Sequence, residues 1–511
     1  MIADEKIPVP APEEIDRAVE HIIEEGLGKG TAAGKKRLRT RLWVLGGAAV
    51  LAVVLAAGLP LLRKERPSPA VRSETLRGEA TASSKEYSAL NADHSGVEAV
   101  QAERPVPSVK LSSEQDLYSY AKHISWWKAQ AENTDPAYAL QEGMRPYYER
   151  LIAEMLSGQE DNAVCSPLNI YLALAMLAEV TDGNTRRQIL DALNVPDITA
   201  LRANAAVLWK SNYYDSFQLE SGLGNSFWLS SALDYNKATL KNLADHYYAD
   251  HFIGIPGSDE MNKALQKWTD ENTGGLLSEQ TKQMKMDKNA VLALVSALYF
   301  KAMWETPFSK VDNTREVFHG TKGDTEAEMM HGAELSADWF EGEHFESVGL
   351  PLTDSGFVYI CLPKKGTDAS GLASDPELLD MVRRNETGQK NGYRDIVKLS
   401  LPKFTVSGKT DLLEVLPALG ITDVTKGTRA DFSPLTAKKE DADGLYLGKA
   451  DHAAMVAVDE DGIVGAAYSY LEMLCAAVEP EHELTVDRPF FFLVTGQDNS
   501  ILFAGVVNNI E

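Results

Sequence analysis

The apolar positions of the chain fall into three patterns: one unbroken run, a few stripes at helical spacing, and many short runs of strand type. The unbroken run is Leu42–Leu62, 21 residues without a charge. At ~1.5 Å per residue it measures about 30 Å as a helix, the thickness of a bilayer's hydrocarbon core. Lys29, Lys35, Lys36, Arg37, Arg39 and Arg41 precede it, and Arg63, Lys64 and Arg66 follow, with Glu65 among them. The heavier positive flank stays cytoplasmic, so the pattern predicts a single-pass transmembrane helix, residues 1–41 inside and the remainder outside the cell membrane. A cleaved signal peptide is the alternative, but such a peptide has a short basic start, and here about forty mixed-charge residues come first.

Ahead of the run, Ile15, Val19, Ile22 and Ile23 share one helical face. Pro12, Glu13 and Glu14 suit the start of that helix, and Gly26 and Gly28 its end. It reads as a surface helix leading into the anchor, or as a docking helix for a cytoplasmic partner. After the anchor, residues 63–112 are rich in Pro, Ser, Ala and Glu without sustained periodicity. They read as a flexible linker that reaches about 35–40 Å as a coil.

From residue 113 the periods mix. Tyr138–Leu156 is helix-like, and Asn169–Glu179 is apolar nearly all round, the mark of a buried helix. Strand-like runs follow at Ala290–Phe300, Gly356–Leu362, Ile396–Leu401 and His452–Val458. Phe490–Val494 and Ile501–Val507 form a hairpin around Gln497, Asp498 and Asn499. Strands and helices mixed without regular β-α alternation predict an α+β domain over residues 113–511.

Composition excludes several classes. With 44% hydrophobic and 24% charged residues in 511, the chain is neither largely disordered nor a polytopic membrane protein. The net charge is −25, and the first 66 residues hold 11 Lys and Arg against 9 Asp and Glu, so the acidity belongs to the outer part. Such a domain is no nucleic-acid binder, because phosphate backbones demand basic surface. Cys165, Cys361 and Cys475 leave one thiol over in any pairing, so packing rather than a disulfide framework must hold the fold.

Standard catalytic motifs are absent: no His-Glu-x-x-His, no Gly-x-Ser-x-Gly, no Cys-x-x-Cys. Ser407-Gly-Lys-Thr410 matches the tail of a phosphate loop, but Lys403 stands where the leading Gly belongs. His319 and His331 read as loop histidines without companion ligands, so neither a metal site nor a cofactor is expected.

The informative segment is Asp459–Val486. A connection of some 25 residues is long for a compact domain. Its first half alternates like a strand. Ile463, Gly465, Ala467, Ser469, Leu471 and Met473 are small or apolar, whereas Val464, Ala466, Tyr468, Tyr470 and Glu472 suit a partly exposed face. A loop with strand capacity suggests a segment able to join a sheet.

With these residues in view, the chain resembles the serpins from about Tyr138 to Glu511. Asn162-Ala-Val-Cys-Ser-Pro-Leu-Asn-Ile, Ala173-Leu-Ala-Met-Leu and Gly183-Asn-Thr look like the family's buried helix and its lead-in. Tyr299-Phe-Lys-Ala-Met-Trp-Glu-Thr-Pro-Phe308 is similar to the strand that ends at the family's Trp. Leu399-Ser-Leu-Pro-Lys-Phe404, Leu419-Gly-Ile421, Ala430-Asp-Phe-Ser433, Val458-Asp-Glu-Asp-Gly462, Asp487-Arg-Pro-Phe490 and Ile501-Leu-Phe-Ala-Gly505 match in order and spacing. Each match is weak alone, but the ordered set is specific.

The resemblance implies a large, mostly antiparallel central sheet, two further sheets, eight or nine helices and an exposed reactive loop. It also implies a function: not an enzyme but a suicide inhibitor of serine proteases, acting as a monomer. The protease cleaves the loop, is held as an acyl-enzyme, and is carried across the molecule when the loop inserts into the central sheet. Carried over residue by residue, the insertion hinge is Glu460, Gly462, Ile463, Val464, Gly465, Ala466 and Ala467. Lys403 pairs with Glu460 at the sheet top (the breach), with Trp304 beside them. Ser166 and His452 belong to the cluster beneath the opening strands (the shutter). Asn169 stands there where the family usually has Ser, and Ser296 where it usually has Asn, either a compensating swap or a looser gate. The hinge departs as well, since Ile463 and Val464 follow Gly462 where inhibitory members favour Thr or Ser.

The family's spacing from Gly462 places the scissile residue at Ala476. Because the following stretch is longer than usual, Ala477 and Val478 are alternatives. Small residues there suit elastase-like or subtilisin-like proteases, and the absence of Lys and Arg from Leu474–Val478 disfavours a trypsin-like target. Glu479, Glu481 and Glu483 would repel an acidic protease. Cys475 reads as a small loop residue before it reads as a redox handle. The competing reading is a membrane-tethered binding module that uses the fold without trapping.

Overall fold

The computed structural model describes residues 97–103, 117–215, 219–275, 281–384, 394–463 and 479–510, with side chains before Pro136 in the first helix left aside. The predicted anchor 42–62, the helix ahead of it, hinge residues Val464, Gly465, Ala466 and Ala467, and the candidate cleavage residues Ala476, Ala477 and Val478 lie outside the described residues. Met1–Lys85 with Pro107–Trp127 cluster as one unit, of which the described part is the start of a helix; Glu86–Val106 with Lys128–Glu511 form the other. No described helix is long and apolar enough to cross a membrane.

Along the chain, strand β1 (Glu98–Val100) precedes the long helix α1 (Leu117–Leu156), and β2 (Ala163–Cys165) leads into helices α2 (Pro167–Glu179), α3 (Gly183–Ala192) and α4 (Ile198–Asn212). Next come β3 (Tyr214–Asp215), β4 (Leu219–Ser230), α5 (Lys237–Tyr247), β5 (Ala249–Gly254), α6 (Asp259–Asn272) and β6 (Leu292–Met303). Four strands follow: β7 (Thr314–Gly320), β8 (Gly323–Glu341), β9 (Phe345–Pro351) and β10 (Phe357–Pro363). The last stretch holds α7 (Glu377–Arg384), β11 (Asp395–Pro402), β12 (Phe404–Asp411), α8 (Leu412–Val415), β13 (Asp451–Val458), β14 (Gly462–Ile463), β15 (His482–Thr485), β16 (Phe490–Thr495) and β17 (Ile501–Val507).

Among the described residues these strands make two hydrogen-bonded sheets. The central sheet has the order β1-β5-β4-β6-β14-β13-β12, with β3 paired to β4. It is antiparallel except between β4 and β5. The second runs β15-β11-β8-β9-β10-β16-β17-β2, with β7 paired to β8. The two further sheets of the expectation are thus joined. Residues 323–337 of β8 pair with β7 and β11, and Asp338–Glu341 pair with β9.

Helix α2 explains its own burial. Twelve of its thirteen residues are buried, and it carries no charge before Glu179. Pro167 opens it, where a missing N–H costs nothing. Ser166, at the N-cap, makes no capping bond; its hydroxyl donates to the Leu502 carbonyl at 2.6 Å instead. One face of β6 lies toward α2, where Ser296 meets Asn169. The other carries Ala293, Val295 and Ala297 under α6. Both faces of β6 are covered, though most of its residues are only half-buried, and this suits a nearly continuous apolar run rather than clean alternation.

Several expectations are corrected. His319 and His331 are strand residues, in β7 and β8. Both strands are polar along much of their length because they are substantially exposed, and this hides their period. Ser407–Thr410, by contrast, is no phosphate loop, as its missing leading Gly implies: it lies inside β12, in register with Met455–His452 of β13. The helix expected at Tyr138–Leu156 begins at Leu117. Finally, Glu98–Val100, inside the stretch that composition assigns to a linker, pairs with Ile253–His251 of β5.

Candidate functional site

The segment after β13 turns at Asp459. Its carboxylate accepts from the Asp461 and Gly462 N–H groups, and the chain doubles back into β14. There Gly462 and Ile463 pair with Met303 and Ala302 of β6, while Ile463 pairs with Val458 of β13. The first strand-like residues of the informative segment therefore already sit between the two central strands. Gly462 is required at this entry: its φ is +149°, and a Cβ on it would stand 2.1 Å from the Ala302 carbonyl oxygen. Ile463, the residue that departs from the family's usual hydroxyl, is 1% exposed.

Lys403 Nζ lies 3.2 Å from Glu460 Oε1, as the resemblance implies. Burial works against the Glu460 carboxylate, but a backbone N–H, Asn313 and Lys403 together hold its pKa below the usual carboxylate value. Burial also works against the Lys403 ammonium, and Glu460 together with Glu328 and Asp459 more than compensates, raising it. Trp304 is beside this pair but touches its neighbours: its indole N–H donates to the Asp459 carbonyl at 2.9 Å, and its backbone N–H donates to the Asp461 carbonyl at 3.1 Å. Lys310 closes the far side on Asp461 at 2.8 Å.

Deeper in the same gap lies a polar cluster. Ser296 of β6 donates through its hydroxyl to Asn169 Oδ1, and Asn169 Nδ2 donates back to the Ser296 carbonyl at 3.1 Å. The two departures from the family pattern are therefore in direct contact. The Ser296 hydroxyl also lies 2.8 Å from Asn225 Oδ1, across the β4–β6 ladder. On the opposite side, His452 of β13 accepts the Ser166 N–H at Nε2, 3.0 Å away. That bond needs an unprotonated Nε2, and burial pushes the imidazole pKa down to about 4. Asn225 and Asn313 complete the two clusters without any motif to announce them. Asn225 is the one amide in a largely buried strand, and a buried amide demands a partner.

Below the informative segment, β15 adds in parallel to β11. Glu479, Glu481 and Glu483 are exposed there, and Glu483 is paired with Lys398 at 2.6 Å. The His482 ring stacks on Trp339 with centroids 4.4 Å apart.

The arrangement offers no catalytic constellation among the described residues. It offers a sheet with a strand start held between two central strands, a charged pair at the entry and a buried polar cluster farther in. Residues 147–510 match the family model described as Serpin (serine protease inhibitor). Human neuroserpin is 26% identical over 379 residues, 71% of this chain and 89% of that protein. The crystal structure of human glycosylated kallistatin superposes with a TM-score of 0.64 at 25% identity, covering 73% of this chain and 99% of that one. Human thyroxine-binding globulin superposes at 0.61 with 21% identity over 72% and 99%, a likeness of fold. Motif order, sheet topology and the match over most of its length agree: the chain belongs to the serpin family.

Proposed function

We propose that this chain is an inhibitory serpin, a suicide substrate for serine proteases of small apolar specificity, elastase-like or subtilisin-like. Residues 42–62 anchor it in the cell membrane, with the inhibitory domain outside and residues 1–41 in the cytoplasm. The carrying observation is β14, placed between β6 and β13 with its register set on both sides. Extending that register pairs residues 464–473 with 301–292, so the alternating segment ends where β6 begins. Ile463, Gly465, Ala467, Ser469, Leu471 and Met473 then face inward. Ser469 arrives opposite both Ser296 and His452, so the one inward hydroxyl of the loop meets the buried polar cluster. Tyr468 and Tyr470 fall on the other face, opposite Ala297 and Val295. Insertion supplies ladder partners to a strand's worth of backbone and buries its apolar face, which makes the cleaved form more stable than the native one.

On this reading Ile463 is no obstacle, since it already fits within the sheet. Cleavage falls at Ala476, with Ala477 or Val478 as neighbours, and the exposed carboxylates of Glu479 and Glu481 favour a protease with a basic rim. The test is incubation of the chain with an elastase-like serine protease, followed by a denaturing gel and a thermal melt. The expected result is a covalent high-mass band and a cleaved form that melts well above the native one. Clean cleavage with neither points to the non-trapping binding module.

A further inference from the structure

We infer that residues 97–103 are a strap that holds the outer edge of the central sheet to α6 and so sets the rate of loop insertion. The inference rests on the inhibitory reading above. The strap lies ahead of the residues the family model matches, which begin at 147. Its strand β1 covers the free edge of β5, with Glu98, Ala99 and Val100 opposite Ile253, Phe252 and His251. Val97 and Ala99 pack on a cluster that joins three layers: Trp228 and Phe252 from β4 and β5, Ala297 from β6, and Met261, Ala264, Leu265 and Trp268 from α6. Trp228 and Phe252 stack with their ring centroids 4.0 Å apart.

One carboxylate ties these parts together. Asp250 of β5 is 2% exposed; its Oδ1 accepts the Ala102 N–H at 3.0 Å, and its Oδ2 accepts the Trp268 indole N–H at 2.9 Å. The strap, the edge strand and the covering helix thus share one buried group. Admitting a strand between β6 and β13 requires the block from β1 to β6 to move aside by about 4.8 Å, one strand spacing. It also brings Tyr468 and Tyr470 beside Ala297 and Val295, under α6, so the helix must yield. A helix tied through Trp268 and Asp250 to a strapped sheet edge yields less readily. The strap therefore resists insertion until cleavage releases the loop.

The test uses the full chain. Ala102→Pro removes the N–H that Asp250 accepts, and Ala99→Asp places a charge on the apolar cluster. In a Cys475→Ser background, Glu98→Cys with Ile253→Cys closes the strap covalently on its directly opposed partner. Each protein is held a few degrees below its melting point, and the loss of covalent complex formation is followed with time. Losing one hydrogen bond to a buried charged group predicts conversion faster by about tenfold for Ala102→Pro. The oxidised cysteine variant should convert more slowly than the same protein reduced. Circular dichroism establishes that each variant starts folded. Equal rates for all variants, in a protein whose cleaved form still gains thermal stability, overturn the strap alone. A cleaved wild-type chain with no such gain overturns the inhibitory reading, and the strap with it.

Discussion

Lys403 and Glu460 meet at 3.2 Å, tying the bend between β11 and β12 to the chain that enters β14. The Glu460 side chain is 5% exposed and that of Lys403 33%, so the pair is only half shielded. Its contribution follows from the shifts. Glu460 is lowered, so its share is present above the unfolded carboxylate pKa and is lost as pH falls through the folded value. Lys403 is raised, so its share is present below its unfolded pKa and is lost as pH rises through the folded value. Near neutrality both operate. Lys403→Ala is expected to cost about 1–2 kcal/mol and to hasten conversion to a non-trapping form, with Glu460→Gln milder because Asn313 remains as a donor. Inhibitory half-life at fixed temperature measures this; a half-life unchanged in both variants contradicts it.

Gly462→Ala should act on the loop entry alone. The added Cβ has no room against the Ala302 carbonyl, so β14 must leave the sheet. The variant is expected to be cut by the protease without being trapped, raising the number of inhibitor molecules consumed per protease inactivated. A consumption ratio equal to that of the wild type would falsify the assigned entry point.

The register of insertion is testable by a paired substitution. If the Ile463–Val458 register extends on insertion as proposed, Ala467 would come opposite buried Ala454 of β13 on the inward face, and Ala466 opposite Met455 on the outward face. Ala467→Asp should abolish the covalent band by placing an unpaired charge in the core. Ala466→Asp should reduce it far less. The reverse ranking would mean that the strand enters one residue out of register.

Asn169 and Ser296 should be coupled. Their mutual hydrogen bonds predict that Asn169→Ser and Ser296→Asn each cost about 1–2 kcal/mol, while the double exchange recovers much of the loss. Thermal midpoints of the four proteins give the coupling directly; strict additivity would show that the two departures are independent.

His452 predicts an acid sensitivity. Its pKa falls from 6.5 to about 4 on folding, so the native state excludes a proton that the unfolded state takes up. Its stabilisation is complete above pH 6.5, declines as pH falls toward 4, and amounts to roughly 3 kcal/mol across that window. His251, pushed down to about 4 by burial, has the same sign. The thermal midpoint should therefore drop between pH 6.5 and 4 at constant scan rate. His452→Gln should flatten that slope by about one proton's worth; an unaltered slope would assign the sensitivity elsewhere.

Local pattern carried much of this molecule. The apolar circumference of Asn169–Glu179 announced α2, because a helix without a polar face must be buried. The hairpin of β16 and β17 was legible from two apolar runs around Gln497–Asn499, and the alternation from Ile463 onward marked a segment with one buriable face. The ordered motifs then named the family. Local pattern did not reveal the polar strands β7 and β8, whose exposed faces leave no hydrophobic period. Nor did it reveal β1, three residues whose strand character comes from the waiting edge of β5. The family resemblance grouped Asn169 with Ser296, 127 residues apart, and Ser166 with His452, 286 apart, but no local pattern did, and which atoms bond is decided by the tertiary structure. Periodicity records which face of an element is buried. Which distant polar group that face meets is decided by how the layers stack, and a buried polar atom takes whatever partner the stacking delivers.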